Sequence, residues 1–246
     1  MFKMIAFDMD GTLAPSKWQM DLEMVELFKK LLSKYKVWII SGWDYSQFQK
    51  QVIPFLGNDE KLLSNLYVCP TCSTKMYLYE NWDWTKKYSL DFTLEEKDYI
   101  MKVFNQAIDD LRLRPEKTWW ELVEDRWTQI TYSALWQQAP LEAKHIWDFD
   151  AEKRKKIRNY LLKDLQDYNI LIGWATSIDI TRAWVDKAYW IKKLSEVSWV
   201  SLNQIIFVWD AIFPGGNDYP PLEIWVTCKR VFSVEDTKRY IEMLVN

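Results

Sequence analysis

The feature that most constrains this chain is Phe7-Asp8-Met9-Asp10-Gly11-Thr12-Leu13, a pair of carboxylates set where a short apolar run ends. Met4 to Phe7 has strand length, and Gly11 supplies the turn that stops it. Side chains two residues apart in a strand point the same way, so Asp8 and Asp10 share one side. At the carboxyl end of a strand in a parallel sheet, such a pair faces the crevice where open α/β folds bind ligands. Two like charges that close call for a cation between them, most simply Mg²⁺ with oxygen ligands. Acidic residues at a strand end also serve as solvated turn residues. A calcium loop opens Asp-x-Asp too, but it takes glycine sixth and glutamate twelfth. Here Gly11 comes fourth and no glutamate closes the loop, so that reading fails.

The following segments predict a parallel sheet. Asp21 to Tyr35 has the apolar spacing of an amphipathic helix, through Leu22, Val25, Leu27, Phe28, Leu31 and Leu32. Lys36 to Ile40 reads as a buried strand ending in Ser41-Gly42, and Asp44 caps a helix expected to run to Phe55. Strand, helix and strand so spaced make a βαβ unit. Ser41 is then a second polar group at a strand's carboxyl end, beside a helix N-terminus that can hold a phosphate. Leu66 to Cys69 is a third strand, and Lys75 to Glu80 pairs with Thr85 to Ser89. Cys69-Pro-Thr-Cys72 has metal-ligand spacing, but zinc takes four ligands, and Cys228 and His145 are the other cysteine and histidine of the chain.

From Thr93 the pattern changes. Thr93-Leu-Glu-Glu96 is a capping box for a helix to about Arg112. A hairpin turns at Asp125-Arg126-Trp127, a charged helix is expected over Ala151 to Tyr168, and a second hairpin joins Asn169–Gly173 to Ser177–Thr181. This is an antiparallel α+β module, placed at residues 86–182 between core segments 1–85 and 183–246. The parallel pattern resumes with a helix opened by Asp186-Lys187 and the strand Gln204 to Val208, which leads to Asp210. A glycine-bearing loop with Asn217 and Asp218, a short strand near Ile224 to Cys228 and a helix from Val234 to Leu244 follow.

The chain has 246 residues and a net charge of −3, which provides no basic field for nucleic acid. No apolar run approaches the roughly 20 residues of a membrane span, and no signal peptide is expected before the first strand. Three cysteines make no disulfide framework, so a reducing cytoplasm is the expected compartment.

Composition carries one anomaly: 16 Trp against 6 Gly, where average usage predicts about 17 glycines. Trp82 follows Asn81 between two strands, where Asn-Gly is the expected hairpin turn. Trp127 sits at the tip of another hairpin, Trp174 follows Gly173, Trp43 follows Ser41-Gly42, and Trp209 precedes Asp210. A genetic code reading UGA as glycine, translated with a table reading it as tryptophan, produces this pattern. The rival reading is a truly Trp-rich chain whose indoles form core or stack on sugars.

These motifs, in this order, resemble the haloacid dehalogenase superfamily, in the branch with an α/β cap inserted after the second motif. Asp8-Met-Asp10-Gly-Thr12, Ser41-Gly42, Lys187, and Trp209-Asp210 with Gly215-Gly-Asn217-Asp218 carry the resemblance. Within that branch the chain is most similar to phosphomannomutases of eukaryotic type and to sugar-phosphate phosphatases, through Asp210 to Asp218 and Ser177-Ile-Asp179. The implied fold is an α/β Rossmannoid parallel sheet with a cap. The implied chemistry makes Asp8 the nucleophile that forms an aspartyl-phosphate and Asp10 the acid and base. Asp8, the Asp10 carbonyl and Asp210 would hold Mg²⁺, while Thr12, Ser41, Gly42 and Lys187 would bind phosphoryl oxygens. Asn217 and Asp218 would orient the metal shell or Lys187.

Specificity is expected on the cap, at Arg126, Gln129, Gln137 and Lys144. The mutases use several cap arginines to grip a second phosphate, whereas this chain offers Gln137 and Lys144 where two of them align. Lysine does not replace a bidentate arginine, and glutamine carries no charge. The expected substrate is a small phosphorylated metabolite, with hydrolysis favoured over mutation. A catalytically silent sugar-phosphate-binding regulator is the alternative of another class. Among the mutases it resembles, dimers form through the cap, so a monomer and a cap-mediated homodimer are both compatible.

Overall fold

The computed structural model describes residues 2–15, 18–114, 122–135, 143, 146–173, 176–183, 185, 187–210 and 226–246. The chain divides into two compact units, Met1–Ser89 with Asp186–Asn246, and Leu90–Val185.

The first unit is built on a seven-stranded sheet of order β11-β10-β1-β2-β3-β4-β5. Its strands are β1 (Met4–Asp8), β2 (Lys36–Ile40), β3 (Leu66–Cys69), β4 (Lys75–Glu80), β5 (Asp83–Ser89), β10 (Ile205–Trp209) and β11 (Thr227–Arg230). β11, β10, β1, β2 and β3 are parallel, and β4 and β5 add an antiparallel hairpin. The central strands are apolar on both faces because both are covered. Ile5, Phe7, Val37, Ile39, Ile206 and Val208 face one core with Met24, Phe28 and Ile241. Met4, Ala6, Trp38, Ile40, Ile205 and Phe207 face another with Ile191 and Leu194.

Helix α1 (Leu22–Leu32) starts at Asp21, whose carboxylate accepts the Met24 N–H at 2.8 Å. Helix α2 (Tyr45–Gln51) starts at Asp44, which accepts from Ser46 N at 3.2 Å while its own N–H donates to Gln47 Oε1 at 3.0 Å. The helix expected to reach Phe55 breaks at Val52, and a separate turn spans Ile53–Leu56. Pro54 accounts for the break: it lacks an N–H, and its ring crowds the preceding turn.

The second unit holds a four-stranded antiparallel sheet, order β6-β7-β9-β8. It comprises β6 (Val123–Asp125), β7 (Ile130–Ser133), β8 (Tyr168–Ile172) and β9 (Ser177–Arg182). Helices α3 (Leu94–Asp110) and α4 (Glu152–Leu161) pack Ile100, Phe104, Ile157 and Leu161 onto Ile130, Tyr132, Ile178 and Ile180. The Thr93–Glu96 capping box forms as expected. The helix expected over Ala151 to Tyr168 ends at Leu161, and Tyr168 already belongs to β8.

Back in the first unit, α5 (Lys187–Ser198) and α6 (Val234–Val245) complete the helices used below. Among the described residues, no helix is long and apolar enough to cross a membrane.

Candidate active site

β1 lies between β10 and β2, so chain order reverses across it and its carboxyl end is the topological switch point. Asp8 closes β1, in register with Ile40, the residue before Ser41. Asp210 follows the last residue of β10. Asp8, Ser41 and Asp210 are thereby brought to one edge of the sheet by three neighbouring parallel strands.

The turn after β1 is tight. Leu13 N and Ala14 N both donate to Met9 O, at 3.0 and 3.1 Å, and Gly11 N donates to Ala14 O at 2.8 Å. Gly11 has φ +76°, in the region that favours glycine. Space makes the same demand: a Cβ there would lie 2.6 Å from Asp210 Oδ2. The Asp210 carboxylate thus packs directly against the backbone of the Asp8–Asp10 turn. Thr12 is fully buried, and its hydroxyl has no hydrogen-bond partner. A buried hydroxyl left unpaired is costly, so a group that accepts or donates there is favoured.

The loop after β2 is held from two sides. Ser41 is buried, and its Oγ accepts the Trp43 N–H at 3.2 Å. The Trp43 indole donates to Asp10 Oδ2 at 2.9 Å, tying this loop to the first motif. From β3, Thr71 N donates to Trp43 O at 2.7 Å and Cys72 N to Ser41 O at 2.9 Å. Thr71, Cys72 and Ser73 all have positive φ (51°, 53° and 63°), an uncommon left-handed run for side-chain-bearing residues. Cys69 and Cys72 span this turn with no disulfide between them; Cys69 is buried, and burial pushes its thiol pKa up. Trp43, after Ser41-Gly42, and Trp209, before Asp210, are both buried. Asp44 caps α2 just beyond. Burial pushes its carboxyl up, but the Lys75 ammonium 3.5 Å away and the Ser46 amide outweigh this and hold it below the usual value.

Lys187 opens α5, and its side chain lies outside the described residues, as do Asn217, Asp218, Gln137 and Lys144. Arg126 and Gln129 belong to the second unit. Arg126 is buried and donates to Glu124 Oε2 at 2.9 Å. Gln129 is buried and donates to Thr131 Oγ1 at 2.9 Å and to Asp179 Oδ1 at 2.6 Å, and Thr131 donates to the same Asp179 oxygen at 2.7 Å. The Gln129 side-chain oxygen, Oε1, is buried without a partner. Asp179 and Thr131 were not singled out as binding residues. Their signal was the alternation Gln129-x-Thr131-x-Ser133 and Ser177-x-Asp179-x-Thr181, polar at every second position.

One group of three acidic side chains among the described residues has all its ligand atoms within 4.8 Å: Asp21, Glu23 and Glu235. Lys238 Nζ lies 2.8, 2.7 and 2.8 Å from them, so an ammonium already neutralises that cluster. It is not the candidate Mg²⁺ site. At the switch point the donors are all oxygen, and the space beside Gly11 is filled by a carboxylate; both suit a hard divalent cation.

Comparison with known proteins accords with this geometry. The phosphomannomutase 1 of Mus musculus is 26% identical, with 87% of this chain and 80% of that protein covered. The Saccharomyces cerevisiae phosphomannomutase is 25% identical, with 99% and 94% covered. Among solved structures, an N-terminally truncated Plasmodium falciparum IMP-nucleotidase superposes with TM-score 0.70 at 17% identity, covering 100% of this chain and 71% of that one. Aspergillus fumigatus trehalose-6-phosphate phosphatase gives TM-score 0.60 at 15% identity, covering 100% and 93%. These likenesses show a haloacid dehalogenase-type α/β fold. The eukaryotic phosphomannomutase family model matches residues 24–246, and the chain belongs to that family.

Proposed function

We propose that this protein is a Mg²⁺-dependent phosphohydrolase that takes a phosphoryl group from a small phosphorylated metabolite, such as a sugar phosphate, onto Asp8 and then to water. The observation that carries the reading is the convergence of Asp8, the buried Thr12 hydroxyl, Ser41 and Asp210 at the switch point of the sheet. Asp8 attacks phosphorus and forms the acyl phosphate, and the bond from phosphorus to the metabolite oxygen breaks. Asp10 gives its proton to that leaving oxygen. In the second step Asp10 takes a proton from water as the water attacks phosphorus, which releases phosphate and restores Asp8. Thr12, Ser41 and Gly42, with Lys187, orient the phosphoryl oxygens, since such transfer is mainly positioning and electrostatics. Asp8, the Asp10 carbonyl and Asp210 would hold Mg²⁺, which when bound adds positive charge where the transferred group is most negative. Asn217 and Asp218 are assigned to orienting that shell.

The charge of the second unit favours water over a second sugar phosphate as acceptor. Arg126 pairs with Glu124, and in sequence Gln137 and Lys144 align with two of the arginines that a bisphosphate grip uses. The names of the relatives favour a second reading, phosphomannomutase. One assay separates them. With Mg²⁺ and mannose 1-phosphate, a hydrolase gives free sugar and inorganic phosphate, and a mutase gives the 6-phosphate. Binding without turnover indicates the regulator and sinks both.

A further inference from the structure

We infer that positions 82, 127, 199 and 209 carry glycine in the protein as its own cells make it, UGA codons there being read as glycine rather than tryptophan. Three of the four rest on backbone conformation. Trp82, Trp127 and Trp199 have φ of 66°, 69° and 58°. A bulky side chain with φ in this range is a genuine outlier, and glycine is the residue that enters it freely.

Each lies in a turn whose backbone geometry favours glycine. Asn81 (φ 51°) and Trp82 are the two central residues between Glu80 and Asp83, which are paired across the β4–β5 hairpin. Two positive φ values there define the turn that prefers Asn-Gly. Trp127 lies in the four-residue loop between the paired residues Asp125 and Ile130, where Arg126 N donates to Gln129 O at 2.9 Å. Trp199 follows Ser198, the last residue of α5, and Val200 N donates to Ser195 O at 3.2 Å. That is the six-to-one bond of a Schellman motif, with Trp199 at the position glycine usually fills.

Burial does not compensate these indoles, which are 68%, 58% and 93% exposed in the same order. Lys97 lies over the Trp127 ring, 3.5 Å from its centroid, but it already has a counter-ion in Asp125 at 2.9 Å.

Position 209 rests on packing. The Trp209 and Phe207 ring centroids are 3.4 Å apart at 69°, shorter than the roughly 4.5–7 Å that aromatic pairs adopt. Trp209 is fully buried, and its indole N–H has no hydrogen-bond partner. Two other tryptophans pack at ordinary separations. Trp84 meets Tyr79 edge-on at 5.4 Å, and Trp147 lies 6.4 Å from Tyr132. Neither has positive φ. Trp43 also lacks positive φ, and its indole is hydrogen-bonded to Asp10, so it stands outside the set.

The test has two arms, neither of which reads activity. Peptides covering the four positions, from protein made by its native cells, should show glycine masses by tandem mass spectrometry; tryptophan at all four overturns the inference. In a host with the ordinary code, the printed chain is compared with the W82G/W127G/W199G variant and with W84G. Relief of left-handed strain should raise the Tm of the triple variant by about 2–4 °C per position, whereas W84G should lower it. A triple variant that melts below the printed chain overturns the reading for those three positions.

Discussion

In the first unit the strands are apolar along both faces, and the groups assigned to chemistry, Asp8, Ser41 and Asp210, stand at or just beyond strand ends. In the second unit the strands themselves carry polar side chains along one face: Gln129, Thr131 and Asp179 bond one another across β7 and β9. A parallel sheet covered on both sides can present polar groups only where its strands stop, in loops whose backbone must then be fixed by other means. The left-handed turn after β3 and the Gly11 turn supply that fixing. An antiparallel sheet needs a core on one face alone, so its other face can hold a row of side chains on rigid backbone. The first arrangement suits a reaction that needs backbone and metal close together, and the second suits recognition of varied shapes.

Four substitutions probe this contrast. Asp8→Asn should remove turnover, by about 10⁴-fold or more, while the circular dichroism spectrum stays unchanged; retained phosphate release removes the nucleophile assignment. Asp148→Ala should strike stability in the second unit. Asp148 and Arg154 are both buried, joined at 2.7 Å, and Arg154 also donates to Gly173 O. Stranding that guanidinium should cost about 3–5 kcal/mol in urea unfolding. Thr12→Val keeps the shape and deletes an unpartnered hydroxyl. It should leave stability unchanged or raised but lower kcat/KM by about 10²–10³-fold, the scale of one lost transition-state hydrogen bond. A fall in Tm with activity intact would break the contrast.

Asp44→Ala should have the smallest effect, about 1 kcal/mol at neutral pH. Because the folded pKa of Asp44 is depressed, the ionised carboxylate stabilises the fold at pH above its unfolded value, near 3.9. That contribution is lost as pH falls through the lower folded value. The stability gap between wild type and variant should therefore narrow below about pH 4, and a gap that widens in acid contradicts the Lys75–Asp44 reading.

Local chemistry made much of this legible in the sequence. The caps Asp21, Asp44 and Thr93–Glu96, the strand runs, and the placement of Asp8 and Ser41 at strand ends follow from residue types and spacing. Residues 162–167 remain good helix formers, yet α4 ends at Leu161 because Leu165 is buried and Tyr168 pairs with Arg182. Tertiary packing overrode propensity there. Pro54 was a readable signal that the periodicity of Asp44 to Phe55 masked. The Gln129–Thr131–Asp179 network spans strands far apart in sequence, so alternation marks its face but cannot name its partners.

The contact between Gly11 and the Asp210 carboxylate joins residues far apart along the chain, because the turn after β1 and the end of β10 meet with no room for a methyl group. During synthesis on the ribosome the first motif therefore waits for β10 to emerge. Until β10 docks beside β1, β1 has only β2 as a neighbour and Asp8 lacks the Asp210 carboxylate. A chain stalled before β10 would carry Asp8 without the Asp210 carboxylate, which makes this edge of the sheet a late checkpoint of assembly.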